Sequence, residues 1–250
     1  MRRGTLVIAA ILLTCTATAA RAQSGGENLS PLAVAVACAP PPSFDDVPSK
    51  ALRVVGSQDS TPRALFGNRD LLVVSGGTAA GVQLGQEFFI RRQNMSGGRW
   101  AQRGAMTLGW LRVVAVNETS AVGLVDHVCN GIVVDDYLEP FVMPDLSAAS
   151  EKNETPGEPD FGVLGHIVAG SENREAMGTG DLVLIDWGQD QGLTPGARFA
   201  IYRDVGLGGR LPLASVGEGV VVSTGSSMAL TRVTRARDVV YSGDYIALRK

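Results

Sequence analysis

Short apolar runs rich in Val and Ile recur along the chain, each bounded by Gly, Asp, Asn or Pro. This is the punctuation of β-strands rather than of helices. Phe88, Ile90 and Arg92 alternate with Phe89 and Arg91, and Phe199, Ile201 and Arg203 alternate with Ala200 and Tyr202. Successive strand side chains point to opposite faces, so the Phe and Ile positions are expected to face one core. Gly109 to Val116 and Gly217 to Val222 read as the next strands, and Ala121 to Val128 and Ala229 to Arg235 follow. Short turns join each pair, and a last strand begins at Tyr137 and at Tyr245.

These elements are written twice. Asp70-Leu-Leu-Val-Val stands 111 positions before Asp181-Leu-Val-Leu-Ile. At the same spacing Gly77, Gly81, Gly85, Phe88 and Arg92 meet Gly188, Gly192, Gly196, Phe199 and Arg203. Further on the spacing is 108, and Gly109, Ala121 and Asp136-Tyr137 meet Gly217, Ala229 and Asp244-Tyr245. Val54-Val55-Gly56-Ser57 opens the first copy as Ile167-Val168-Ala169-Gly170-Ser171 opens the second. A fixed internal period marks one structural unit repeated. The expected fold is all-β: two tandem small six-stranded barrels, closed or nearly closed, spanning 52–142 and 162–250. A sheet that small must roll up or pack on something to hide its apolar face. Two three-stranded layers per copy are the alternative.

The matched glycines fall where one strand ends and the next begins, where φ > 0 is easily adopted. The matched carboxylates Asp70, Asp136, Asp181 and Asp244 stand at strand starts, where an Asp accepts hydrogen bonds from nearby backbone N–H groups. Residues 143–161 are rich in Ser, Glu, Asn, Asp and Pro and read as a flexible acidic linker. Residues 23–51, with Ala39-Pro40-Pro41-Pro42, read as an extended tether.

The first 22 residues carry Arg2 and Arg3, an apolar stretch from Leu6 to Ala20, and Ala20-Arg21-Ala22. That is a secretory signal peptide pattern with a mature start at Gln23. The apolar stretch, about 15 residues, falls short of the roughly 20 that span a bilayer. Lipidation at Cys15 is disfavoured by the Leu-Leu-Thr before it. Cleavage takes the basic count from 22 to 19 against 25 acidic residues, a net charge of −6. An acidic surface argues against a nucleic-acid partner, and no later segment reads as an integral membrane span. Cleavage also leaves two cysteines, Cys38 and Cys129, which in an oxidising compartment read as a disulfide.

The composite pattern runs Gly-Ser, Gly-Asp-apolar, Gly-Leu-x-x-Gly-x-x-Phe-x-Ile-Tyr-Arg, then Gly-Asp. The second copy carries it at Gly180-Asp181, Gly192-Leu193-Thr194-Pro195-Gly196, Phe199-Ala200-Ile201-Tyr202-Arg203 and Gly243-Asp244. It resembles a β module of bacterial envelope proteins, as in the C-terminal domain of flagellar assembly protein T and in modules that follow peptidoglycan-binding LysM domains. The first copy departs from it: Arg69-Asp70 and Asp135-Asp136 stand for Gly-Asp, and Arg91 stands for the Tyr. The resemblance implies a fold and an envelope setting. Its motifs are turn and core residues, and they carry no chemistry.

The search for chemistry yields no catalytic set, cofactor motif or metal set. Asp126-His127-x-Cys129 mimics a metal cluster, but an oxidised cysteine cannot ligate and zinc usually wants four ligands. No Gly-x-Ser-x-Gly elbow or Gly-Lys-Ser/Thr is present. His166 has no partner nearby in sequence. Arg91, Arg92, Arg99, Arg103 and Arg112, with Trp100 and Trp110, gather in or beside the long loop of the first copy. Arg and Trp are favoured at interfaces, so Arg91, Arg99, Trp100, Arg103 and Arg112 form a candidate contact surface for an envelope protein or a glycan. Solvated arginines on an ordinary hairpin are the plainer reading. The expected function is a non-catalytic exported envelope protein with a binding or scaffolding role. The alternatives are a periplasmic hydrolase, or a carbohydrate-binding protein using an exposed Trp100, Trp110 or Trp187.

Overall fold

A computed structural model describes residues 29–43, 47, 49–94, 104–147, 157–171, 174–206 and 212–249. The expected signal peptide lies outside the described residues, as do Arg99, Trp100 and Arg103. The first copy holds β1 (Val54–Ser57), β2 (Leu71–Ser75), β3 (Glu87–Asn94), β4 (Gly104–Val116), β5 (Ser120–Val128) and β6 (Tyr137–Pro140). They form one antiparallel sheet in the order β1-β2-β5-β4-β3-β6. The second copy holds β7 (Gly165–Gly170), β8 (Ala176–Met177), β9 (Leu182–Ile185), β10 (Arg198–Asp204), β11 (Leu213–Thr224), β12 (Ala229–Ala236), β13 (Val240–Tyr241) and β14 (Tyr245–Leu248). Six of these close into a barrel in the order β10-β11-β12-β9-β7-β14, which is the order of the first copy joined end to end.

The two copies differ in closure by little. In the barrel, β14 meets β7 at Tyr245–His166 and Ile246–Gly165. The Ile167 N–H donates to the Asp244 carbonyl at 2.8 Å, and the Gly243 N–H to the Ile167 carbonyl at 2.7 Å. In the first copy the outer edges are joined by a single bridge, Arg53–Tyr137. There the Val54 N–H donates to the Asp136 carbonyl and the Asp135 N–H to the Val54 carbonyl, both at 2.9 Å. The same two bonds therefore seal both copies, and only the length of pairing beyond them changes. The short β8–β13 ribbon also has a counterpart: Met177 and Val240 pair across it, and Phe66 and Ile132 form the matching bridge in the first copy.

Each copy buries its own core. Leu72, Val74, Phe88, Ile90, Leu111 and Val125 belong to the first. Val183, Ile185, Phe199, Ile201, Val221 and Val233 belong to the second. The alternation Phe88/Ile90 and Phe199/Ile201 thus points inward. Among the turns, Gly81, Gly85, Gly192 and Gly196 adopt φ of 81°, 79°, 79° and 87°, a region costly for side chains with a Cβ.

Residues 23–51 depart from the expected extended tether. Pro31–Cys38 form a helix, α1, with Ser30 at its N-cap: the Ser30 hydroxyl accepts from the Ala33 N–H at 3.2 Å. Pro31 sits in the first turn, where its missing N–H costs nothing. Eight residues are too few to hold a helix alone, so packing holds this one. Val36 and Ala39 pack on the outer face of the second copy with Val168, Leu182, Leu184, Val220, Val222 and Leu230. Ala37 and Cys38 pack on the outer face of the first with Phe89, Trp110 and Phe141. Beyond the helix, the Thr107 hydroxyl donates to the Ala39 carbonyl at 2.9 Å. The linker departs from expectation too: Met143 and Leu146, at its start, pack against the same helix-filled clusters. The N-terminal segment is thus a strut between the modules.

Candidate functional site

The matched carboxylates do the same work in both copies. Asp136 accepts from the Val133 N–H at 2.7 Å, and Asp244 from the Tyr241 N–H at 2.8 Å. Each also takes two bonds from one arginine. Arg92 reaches Asp136 at 2.7 and 2.9 Å, and Arg203 reaches Asp244 at 2.8 and 2.7 Å. These bonds hold both guanidinium groups above their ordinary pKa. Each arginine then donates to the turn beneath it, at the carbonyl of Gly131 or Val239. Asp70 and Asp181 close the preceding turns through the N–H groups of Gly67 and Gly178, at 2.7 and 2.8 Å. Arg63 and Arg174, 111 positions apart, each stand 3.0 Å from those carboxylates. This second Arg–Asp pair escaped the sequence reading, although the spacing of Arg63 and Arg174 matches the repeat.

Of the candidate contact residues, Arg91 and Arg112 lie among those described, and each is engaged within the protein. Arg91 is buried, only 8% exposed, under the strut. Its guanidinium lies 4.7 Å from the centre of the Phe89 ring, and its Nε is 3.1 Å from Glu139. Burial draws its pKa down, against the opposing charge of Glu139. Burial also raises the facing Tyr137 hydroxyl to about 12. Arg112 is held by Asp126 at 3.2 and 3.3 Å. Arg92 is taken by Asp136. Trp110, 1% exposed, is stacked on His127 at 4.5 Å and lies near Phe141, so it offers no sugar platform. Trp187 packs against the core of the second module. Arg91 and Trp110 share a physical reason: strand alternation separates inward from outward residues, but it does not reveal which outward face another segment covers.

The Cys38–Cys129 disulfide is formed, with Cα atoms 5.5 Å apart, and ties the C-terminus of α1 to the end of β5. His127 stands beside it; ligand atoms of Cys38, His127 and Cys129 all lie within 4.8 Å of one another. In this oxidised state the sulfurs are bonded to each other, and a disulfide offers no thiolate to a cation. In the second module His166 does find a partner. Its Nδ1 lies 2.9 Å from Asp186, whose other oxygen accepts from the His166 backbone N–H.

Where strut, linker and both modules meet there is a cavity of about 270 Å³, lined by Val36, Pro41, Arg91, Val142, Met143 and Leu230 among others. Its walls are mainly apolar, with Arg91 and Ser223 among them. No helix among the described residues is long and apolar enough to cross a membrane. No family model and no curated protein matches the chain. The likeness to envelope β modules therefore rests on the motif residues alone.

Proposed function

We propose that this is a non-catalytic exported protein of the bacterial envelope, in which two β modules, held by one strut, bind or scaffold other envelope components. One observation carries this reading. The matched carboxylates, the first place to look for acid–base chemistry, are each spent on closing a turn and gripping an arginine. Glycosidase chemistry needs two carboxyl groups facing a shared space. The export signal pattern and the motif resemblance supply the setting.

The test begins with N-terminal sequencing of protein recovered from the periplasm, for which a start at Gln23 is expected. The mature protein is then immobilised, exposed to envelope extract, and assayed with cell-wall glycan and peptide substrates. Saturable retention of the same component by wild type and by His166→Asn, without turnover, supports the proposal. Turnover that is lost in His166→Asn or Asp186→Asn would replace it with a hydrolase.

A further inference from the structure

The strut covers an outer face of the second module, and among the described residues no segment covers the corresponding face of the first. In the second module that face comprises Val168, Leu182, Leu184, Val222 and Leu230, all buried beneath α1 and the start of the linker. The matching positions of the first module are Val55, Leu71, Val73, Val114 and Val122. These five are apolar, whereas Val220 and Met228, which complete the covered cluster, are matched by Arg112 and Ser120. Val55, Leu71 and Val114 are 51%, 38% and 39% exposed, and Val73 and Val122 are half-buried.

The correspondence extends to backbone irregularities. Val55 and Val168 each sit in a register shift at the first strand of their module. Val114 and Val222 sit in the matching shift of the long hairpin. A bulge re-aims its side chain, and here both bulges aim a Val outward. Val73 pairs directly with Val122 and Leu71 with Leu124, so these side chains are neighbours on one face. Arg112, held by Asp126, lies beside Leu124 at one side of these residues; apolar side chains exposed together on a water-facing sheet and rimmed by polar ones mark interaction sites.

We infer that the outer face of β1, β2, β5 and β4 is a docking surface for an amphipathic helix of a partner protein. The inference rests on the scaffold reading above and names the surface and partner that reading requires. The occupant follows from the covered copy. There α1 presents Leu32 and Val36 to the sheet, neighbours at i and i+4 on one helix face, and Ala39 packs there just beyond the helix end. α1 is uncharged, and its opposite side is taken up by the first module. A helix docking on the bare face has only one side to bury. It needs the same apolar stripe and a polar back, the helix-in-groove mode of recognition. The α1 of a second copy is a poor occupant, because its own disulfide and two clusters hold it in place.

Site-directed photocrosslinking in the full-length protein, expressed in its own envelope, tests this. A benzophenone side chain is placed at Leu71 or Val114, with Leu84, an exposed apolar residue in a turn of the same module, as control. The expected product is a heterologous crosslink from Leu71 and Val114, at least tenfold stronger than from Leu84. The crosslinked peptide should map to a helical segment with apolar residues at i and i+4 on one face and polar residues on the other. The double variant Leu71→Gln/Val114→Gln should melt within about 2 °C of wild type, since both sites are exposed, yet lose at least tenfold of the crosslink from a probe at Val55. A crosslink to a second copy overturns the inference, as does a partner peptide without the helical stripe. If Leu84 crosslinks a partner while the patch does not, this inference fails and the scaffold reading stands. If no position crosslinks and the mature protein retains nothing from envelope extract, both fail.

Discussion

The two modules are alike inside and different outside. The Arg92–Asp136 and Arg203–Asp244 pairs have the same bonds to within 0.2 Å. The cores use the same Phe and Ile positions. Outside, Phe89 and Trp110, which grip α1 in the first module, are matched by Ala200 and Glu218 in the second. Conversely the second module grips α1 through β7, β9, β11 and β12, at positions whose counterparts Val55, Leu71 and Val114 are exposed in the first. The duplicated residues hold the fold of each module, and the diverged ones assemble the pair. A single helix wedged between two unlike faces makes one body from two like halves.

The most drastic way to break this arrangement is to cut the link between strut and first module. The disulfide closes a loop of 91 residues, for which chain entropy alone gives about 4 to 5 kcal/mol. Cys129→Ser should cost roughly that much in denaturant unfolding. Hydrogen exchange should rise first in α1 and in the strands beneath it, at Leu184 and Leu230, while the interior of the second barrel stays protected. Uniform loss of protection across both modules would mean that the strut does not join two separately folded units.

A slightly smaller loss tests the likeness of the interiors. Asp136 and Asp244 are 2% and 5% exposed and make matching bonds. Replacing either by Ala strands a guanidinium and a turn N–H. The partly exposed arginines soften the penalty, so about 3 kcal/mol is expected for each. The comparison is sharper than the magnitude. Asp136→Ala and Asp244→Ala should agree within about 1 kcal/mol, a factor of about five in the unfolding constant. A larger gap measured by urea unfolding would show that the copies do not share their energetics.

Alkaline pH probes the side on which the copies differ. Tyr137, buried beside Glu139 and Arg91, is raised to about 12 from an unfolded value near 10. The fold therefore favours the neutral phenol. Its contribution is complete below pH 10 and is lost as the pH climbs through 12, by at most about 2 to 3 kcal/mol. In Tyr137→Phe that loss should vanish, which unfolding midpoints at pH 9 and pH 11 would reveal. Equal pH dependence in wild type and variant would place Tyr137 in a wetter setting than the sheet edge at β6 provides.

These outcomes also mark what the sequence could disclose. The inward residues were legible because a period of two and a spacing of 111 then 108 positions repeat the same side chains in order. The helix was not. Its eight residues, Pro-Leu-Ala-Val-Ala-Val-Ala-Cys, are apolar on every side because both sides are covered, so they carry no helical period to read. The burial of Arg91 was hidden for a related reason. Arg91 alternates outward as the pattern requires, but it is buried by a segment about 50 residues away. Which outward face is covered is a fact of tertiary assembly. Only the duplication, by offering a covered and an uncovered version of one face, makes it readable.

The smallest effect belongs to the first copy's departures from the repeat. Arg69 and Asp135 are the non-glycine residues with positive φ among those described, at 66° and 73°. Their counterparts are Gly180 and Gly243, at 95° and 93°. The backbone is the same; only the side chain changed. A residue with a Cβ in this region costs about 1 to 2 kcal/mol, partly offset by the greater freedom that glycine loses on folding. Arg69→Gly should therefore stabilise by about 0.5 to 1 kcal/mol. Asp135→Gly should gain less, because Asp tolerates the left-handed region better than Arg. The reverse changes, Gly180→Arg and Gly243→Asp, should destabilise in the same order. If thermal melting shows no gain for Arg69→Gly, then its side chain makes contacts that repay the strain, and the first copy departed from glycine to keep them.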